Sequence, residues 1–368
     1  MVLVDTNYDI ASMSRHAQGV RVSTFECELL VDELLRRQQD MAHGAVIIFT
    51  DDRPMLTVSK YRNRLAPWFD FQLPPHGQLV DLTRKEAFFH LARQGGFPVP
   101  NTVLVRNSGD LQGLRDLQAP LCIKPNHRSP AYDGTFRKAY RVETHAEAHL
   151  LCRRVLDKVG EVIVQEWIEG PNDSIYFCLC HMAPGASVAF TGRKGRSWPP
   201  QIGATASCWA APDVSGELED LTIRFFQSVG LTNGFASMEF KRDQRDGRFQ
   251  LVEPTVGRVD RQVEISGLCG INLCHVGYCD AAGLPRPPVA LDPTHVWRDE
   301  SRDFLSARLL GIRCTYPPRH HIHNAYWRWD DPVPALLASA KAAQRVLRHA
   351  MGRPSAPKQS SGMPSKWH

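Results

Sequence analysis

Phe235-Ala236-Ser237-Met238-Glu239-Phe240-Lys241 and Arg248-Phe249-Gln250-Leu251-Val252-Glu253 flank a polar turn that contains Asp243, Asp246 and Gly247. Two short apolar-rich runs around such a turn read as a β-hairpin. If paired residue numbers sum to 492, Glu239 faces Glu253 and Lys241 faces Leu251. Like charges opposed across a ladder are destabilising. Two carboxylates there imply a cation between them, a shared proton or a shifted register. A cation with a phosphate partner is the economical solution, because magnesium takes one or two carboxylates and completes its shell with phosphate oxygens.

Basic groups lie on both sides of the hairpin. Downstream, Pro254-Thr255-Val256-Gly257 leads to Arg258 and Arg261. Gly257 permits a sharp turn, and either guanidinium can grip a phosphate or carboxylate at two points. Upstream, Arg193-Lys194-Gly195-Arg196 follows a strand ending at Thr191 and offers cations from another side. Val162–Glu166 reads as a buried strand that runs into Trp167, Ile168 and, after Gly170-Pro171, Asp173. Free backbone groups walled by Trp167 and Ile168 suit an adenine, and Asp173 suits a ribose hydroxyl. Leu121-Cys122-Ile123-Lys124-Pro125 places a lysine at the end of a second buried strand. An unpaired buried ammonium is costly, so an anion should face Lys124, either a phosphate or a neighbouring carboxylate.

Asn126–Lys138, with Arg128, Asp133-Gly134, Arg137 and Lys138, reads as a mobile loop able to close over phosphates. Before it, Thr83–Gln94 has the pattern of a helix. Thr83 and Glu86 form a capping box, Ala87, Phe88 and Leu91 give an apolar face, and Gly95-Gly96 ends it. Lys85 falls in the first turn, where helix N–H groups and an ammonium can converge on a phosphate. A solvated surface lysine fits the same position.

The remainder of the chain sets limits. Its 368 residues, 43% hydrophobic and 23% charged, describe an ordinary globular protein with room for two or three domains. No apolar run approaches the roughly 20 residues of a spanning helix. Met1–Arg15 carries Asp5 and Asp9 and lacks a signal-peptide core, so a cytoplasmic location is expected. The net charge of +5 is spread along the chain rather than gathered in the tract a nucleic acid would require. The ten cysteines lack zinc-site spacing and read as buried free thiols, while His320, His321 and His323 read as a solvated loop. Near the start, Ser23 and Glu26 form a capping box before a helix marked by Cys27, Leu30, Val31, Leu34 and Leu35. Ala45–Thr50 reads as a buried strand. Together they suggest a short α/β unit without the Gly-rich turn of a dinucleotide-binding domain.

In this order, the residues resemble the ATP-grasp superfamily, specifically its carboxylate–amine ligase branch, from about Leu82 to Gly283. Thr83-Arg84-Lys85 and its helix resemble the segment with the first nucleotide lysine, and Ile123-Lys124-Pro125 the second. Val164–Gly170 resembles the hinge strand, Phe190–Lys194 a phosphate-side strand, and Glu239 and Glu253 the metal-binding carboxylates. Thr255 stands where the family commonly has Asn.

The resemblance implies an α/β (α+β) fold with two α+β grasp subdomains over 81–290. A short N-terminal α/β domain over 1–80 would precede them, with a C-terminal appendage over 291–350 and a disordered tail over 351–368. It implies ATP and Mg2+ (Mn2+ as a substitute), with Lys85, Lys124, Glu166, Trp167, Ile168 and Asp173 on the nucleotide. Glu239, Glu253 and Thr255 would hold metal, and Arg258, or Arg193 or Lys194, would act on the transferring phosphoryl group. The implied activity is amide-bond formation from a small carboxylic acid and an amine through an acyl phosphate. Neither nucleic acid nor membrane is expected as a partner, and the oligomeric state is left open. The alternatives are a nucleotide-binding regulatory module without ligase activity, or a phosphotransferase.

Overall fold

The computed structural model describes residues 1–6, 10–39, 44–126, 132 and 135–350, with 342–350 as backbone only. The interior of the loop anticipated over Asn126–Lys138, including Arg128, Asp133 and Gly134, lies outside the described residues, as does the tail from 351. The chain forms two compact units, one of Met1–Val22 with Tyr326 onward and one of Ser23–Ala325. In the first, strands Val2–Asp5 and Gln18–Arg21 pair in parallel, Ser14 Oγ donates to Asp331 Oδ2 at 2.6 Å, and Val333–Ala350 is helical. No helix among the described residues is long and apolar enough to cross a membrane.

The second unit opens with helices Glu28–Gln38 and Asp52–Lys60, beside a two-stranded parallel pair of Ala45–Val46 with Phe69–Asp70. The expected capping box of Ser23 and Glu26 does not form. The first helix starts later, after Cys27 at φ 72°, without a side-chain cap. The expected strand over Ala45–Thr50 is likewise only two residues long, because Asp51 turns the chain and caps the next helix by accepting from Arg53 N at 2.9 Å.

A four-stranded antiparallel sheet follows, in the order Thr102–Val105, Val162–Glu166, Leu121–Lys124, Tyr140–Val142. Helix His145–Val159 buries Ala148, Leu151, Cys152 and Val155, a single helical stripe. Thr144 caps its start and Gly160, at φ 84°, ends it, delivering the chain into Val162–Glu166. The helix expected from Thr83 begins at Lys85. Thr83 belongs to the preceding helix, His76–Thr83, and its hydroxyl donates to the Val80 carbonyl at 2.7 Å.

The seven-stranded sheet runs Phe249–Val256, Gly234–Arg242, Ile175–Met182, Val188–Trp198, Ala204–Ala210, His295–Arg298, His321–Asn324, antiparallel except at the last pair. His321 and His323 therefore lie on an edge strand, not in a loop. Helix Ser215–Ser228 buries Leu218, Thr222, Phe225 and Phe226, and Phe225 meets Phe88 edge-on at 5.4 Å in the main core. That core also takes in Met55, Leu79, Phe89, Ile163, Met238 and Leu251, so the small α/β piece and both sheets share one apolar interior.

The hairpin register divides in two. Glu239 faces Glu253, as the 492 sum requires, but a bulge follows, so that Phe240 faces Leu251 and Lys241 faces Gln250 rather than Leu251. Such an insertion bends the strand and re-aims nearby side chains. Gly257 adopts φ +74°, and a Cβ there would come within 2.6 Å of Leu73 Cδ2 and 2.7 Å of Met55 Sδ, so only glycine suits this turn. All ten cysteines are free thiols and six are buried.

Candidate active site

One cavity collects most of the anticipated residues. Lys85, Lys124, Glu166, Trp167, Ile168, Glu239 and Glu253 all line it. Its volume, about 120 Å³, is several times the ~15 Å³ a single water needs on this measure, so it is a ligand-sized space and not a packing flaw.

The two opposed carboxylates keep the register expected from sequence and are met by cations of the protein itself. Each has an ammonium of its own. Lys85 Nζ lies 3.0 Å from Glu253 Oε1, and Lys194 Nζ pairs with Glu239 Oε2. Burial raises the Glu253 pKa, but the fields of Lys85, Lys138 and Lys124 outweigh it and hold this carboxyl well below the usual range. Lys124 is different. It is 8% exposed, forms no ion pair among the described residues, and has its ammonium 5.0 Å from the Phe89 ring centroid. Burial lowers its pKa, with Glu253 partly opposing the shift. A charge so placed has a cost that an anion beside it would relieve.

The hinge departs from the sequence reading in detail. The N–H groups of Glu166 and Trp167 already donate to Asn101 O (3.0 Å) and Pro120 O (2.9 Å). The Glu166 carboxylate accepts from Asn101 Nδ2 at 3.1 Å and Gln118 N at 2.9 Å. Lys241 Nζ lies 4.4 Å from the Trp167 ring centroid and the Arg141 guanidinium 5.1 Å. The indole Nε1 is buried and has no hydrogen-bond partner among the described residues. Trp167 thus walls the cavity with a ring that has two cations beside it.

Five anticipated residues, Arg258, Thr255, Arg193, Asp173 and Lys194, are not among those lining the cavity. Arg258 pairs with Asp52 and, at 3.3 Å, with Asp260. Thr255 Oγ1 donates to Asp260 Oδ1 at 3.0 Å, and Ser237 Oγ, opposite it in the ladder, donates to Asp260 Oδ2 at 2.5 Å. Arg193 binds Asp173 through its carboxylate (2.8 Å) and its carbonyl (2.6 Å), so those two residues occupy one another. The Arg193–Arg196 run is split by a bulge after Lys194: Lys194 pairs with Glu239, which lines the cavity, and Arg196 with a buried Asp303.

Lys138, from the anticipated phosphate loop, and Gln165, from the hinge strand, also line it, as do residues not singled out from sequence: Cys122, Lys241 and the Gln201-Ile202-Gly203 segment. Cys122 and Lys241 were legible in principle, since each is two residues along a strand from a residue already implicated, Lys124 and Glu239. Gln201 had no such signal. It sits in the turn between two long strands at φ +68°, an unusual conformation for a side-chain-bearing residue.

No protein-family model matches the chain. Over 258 residues it is 23% identical to the D-aspartate ligase of Enterococcus faecium (strain Aus0004), a match covering 65% of this chain and 61% of that protein. Over 163 residues it is 26% identical to a D-alanine–D-alanine ligase of Pseudomonas putida (strain GB-1), covering 43% of this chain and 49% of that one. The chain thus spans between about half and three-fifths of the length of these curated relatives. Among solved structures, N5-carboxyaminoimidazole synthetase from Staphylococcus aureus complexed with ADP matches with a TM-score of 0.59 at 14% identity, over 79% of this chain and 73% of that one. The chain accordingly has the fold of the ATP-grasp ligases, and the curated proteins it resembles in sequence are ligases.

Proposed function

We propose that the chain joins a carboxylic acid to an amine at the expense of ATP, through an acyl phosphate. One observation carries the reading: Lys85, Lys124, Glu239 and Glu253, far apart in sequence, line a single cavity. The names of the sequence relatives put amino acids first among the acids and amines to be tested.

Lys85 and Lys124 would lie along the phosphate chain. Lys85 neutralises Glu253 and Lys194 neutralises Glu239. A polyphosphate would give both ammonium groups alternative acceptors and free both carboxylates. Magnesium fits this donor set, with Glu239 and Glu253 as its ligands, and when bound it would offset the charge of the β- and γ-phosphates. Thr255 gives its hydroxyl hydrogen to Asp260, so only its oxygen lone pairs remain for a metal. A carboxylate oxygen of the acid would attack the γ-phosphorus as the bond to ADP breaks. The amine would then attack the acyl carbon and expel phosphate. Such transfer relies on positioning and charge, not on a covalent group of the protein. Lys138 and Lys241, which line the cavity, are better placed to meet developing negative charge than Arg258 or Arg193, each already paired.

The same pairing of Arg258 with Asp52 and Asp260 supports the second reading, a nucleotide-binding module without ligase activity. Hydroxylamine separates the two. With ATP, Mg2+ and single amino acids, a ligase releases phosphate and yields the hydroxamate of the accepted acid. ATP binding without acid-dependent phosphate release favours the module, and phosphate transfer without hydroxamate favours a phosphotransferase.

A further inference from the structure

The helix that presents Lys85 starts without a cap of its own, because the residue before it, Arg84, makes no side-chain cap bond. The first N–H groups of a helix need acceptors. Here they come from a residue forty positions away. Asn126 accepts from Lys85 N through its backbone carbonyl (3.2 Å) and from Glu86 N through Oδ1 (2.9 Å). Its Nδ2 donates to Glu161 Oε1 at 3.0 Å, and the residue is 1% exposed. The amide orientation is unambiguous, since the helix offers only a donor and Glu161 only acceptors.

Asn126 is also two residues beyond Lys124, and Glu161 immediately precedes the hinge strand. Arg106, just past the Thr102–Val105 strand, completes a ring. Its Nη2 meets Glu86 Oε1 at 2.8 Å, and its Nε lies 3.8 Å from Glu161 Oε2. Four separate segments are thereby joined where the two nucleotide-side lysines start and end their elements.

We propose that Asn126 is a positioning residue that fixes the Lys85 ammonium relative to that of Lys124 and so sets the affinity for the nucleotide polyphosphate. The inference rests on the nucleotide reading above. Both bonds of the amide are needed, because the oxygen holds the helix and the nitrogen holds the strand-end carboxylate. Asn126→Asp keeps the acceptor but sets a carboxylate against Glu161. Asn126→Asp with Glu161→Gln restores one donor and one acceptor with their polarity exchanged.

The test is equilibrium binding of Mg-ATP, together with KM for ATP and kcat, for wild type, Asn126→Ala, Asn126→Asp and the double variant, each shown folded by urea unfolding. Asn126→Ala and Asn126→Asp should weaken ATP binding by about tenfold or more, chiefly in KM. The double variant should return to within about threefold of wild type. If Asn126→Ala fails to fold, the Asp single and double variants still decide the matter. Wild-type affinity in Asn126→Asp, or no recovery in the double variant, overturns this inference alone. A wild-type protein that binds no ATP overturns the nucleotide reading and this inference with it.

Discussion

Lys124→Met should lose ATP turnover by roughly 100-fold or more while making the folded protein more stable. The two effects share one cause. Lys124 is a buried ammonium with no ion-pair partner among the described residues. Its positive charge destabilises the fold unless a phosphate lies beside it. Methionine fills similar space without a charge, so stability should rise by about 1 kcal/mol or more. Removing one charge from a preorganised transition-state site costs ~3 kcal/mol, which is the loss in rate.

The pH dependence carries the same signature. Burial holds the folded-state pKa of Lys124 below its ordinary value of 10.5. Between the folded and ordinary values the unfolded chain binds more protons, so this residue makes stability rise with pH across that window. The difference between urea midpoints of wild type and Lys124→Met isolates the rise, which should be absent from the variant. Glu253→Gln should lose turnover as well, with the opposite effect on stability, because Lys85, Lys138 and Lys124 would lose the carboxylate they surround. Glu253 has a depressed pKa, so its stabilising share is present above the usual carboxylate range and fades as pH falls through the folded value. Unchanged turnover in either variant would contradict the site.

Arg196→Ala should destabilise the protein by about 3–5 kcal/mol, a large share of a typical domain's stability. Arg196 and Asp303 are both almost fully buried and meet through two parallel bonds, Nε to Oδ1 at 2.6 Å and Nη2 to Oδ2 at 2.9 Å. The Tyr316 hydroxyl also donates to Asp303, and Arg196 Nη1 donates to Thr315 O at 3.2 Å. Taking away the guanidinium leaves a carboxylate in the interior with one remaining side-chain donor. The penalty is that of stranding a charge, so Arg196→Met with Asp303→Leu should cost far less than the single change. Urea unfolding of the three proteins checks this, and equal losses in single and double variants would contradict it. The pair ties the Glu300–Leu310 helix to the strand that carries Lys194, and so supports the carboxylate site from behind.

The residues that converge were legible because strand periodicity and turn chemistry are local. Glu239 opposite Glu253 followed from a hairpin with a short polar turn, and Lys124 from an apolar run that ended on a charge. What escaped was non-local. The bulge that moves Lys241 opposite Gln250 depends on how the strand bends over the core, not on the turn. Thr83 and Glu86 fit a capping box in sequence, yet the preceding helix claims Thr83 and Asn126 supplies the cap. Arg258 and Arg193 read from sequence as guanidinium groups able to grip a phosphate, but Asp52 is 206 positions from Arg258 and no spacing rule joins them. Pairing of Lys85 and Lys194 with the two carboxylates was hidden for the same reason.

The most direct measurement is a crystal structure with Mg2+ and a non-hydrolysable ATP analogue. The Lys85 and Lys124 ammonium groups should contact the phosphate chain, with Glu239 and Glu253 released from their lysines and turned to the metal. A nucleotide bound elsewhere, or one in the cavity with both lysine–carboxylate pairs intact, would contradict it.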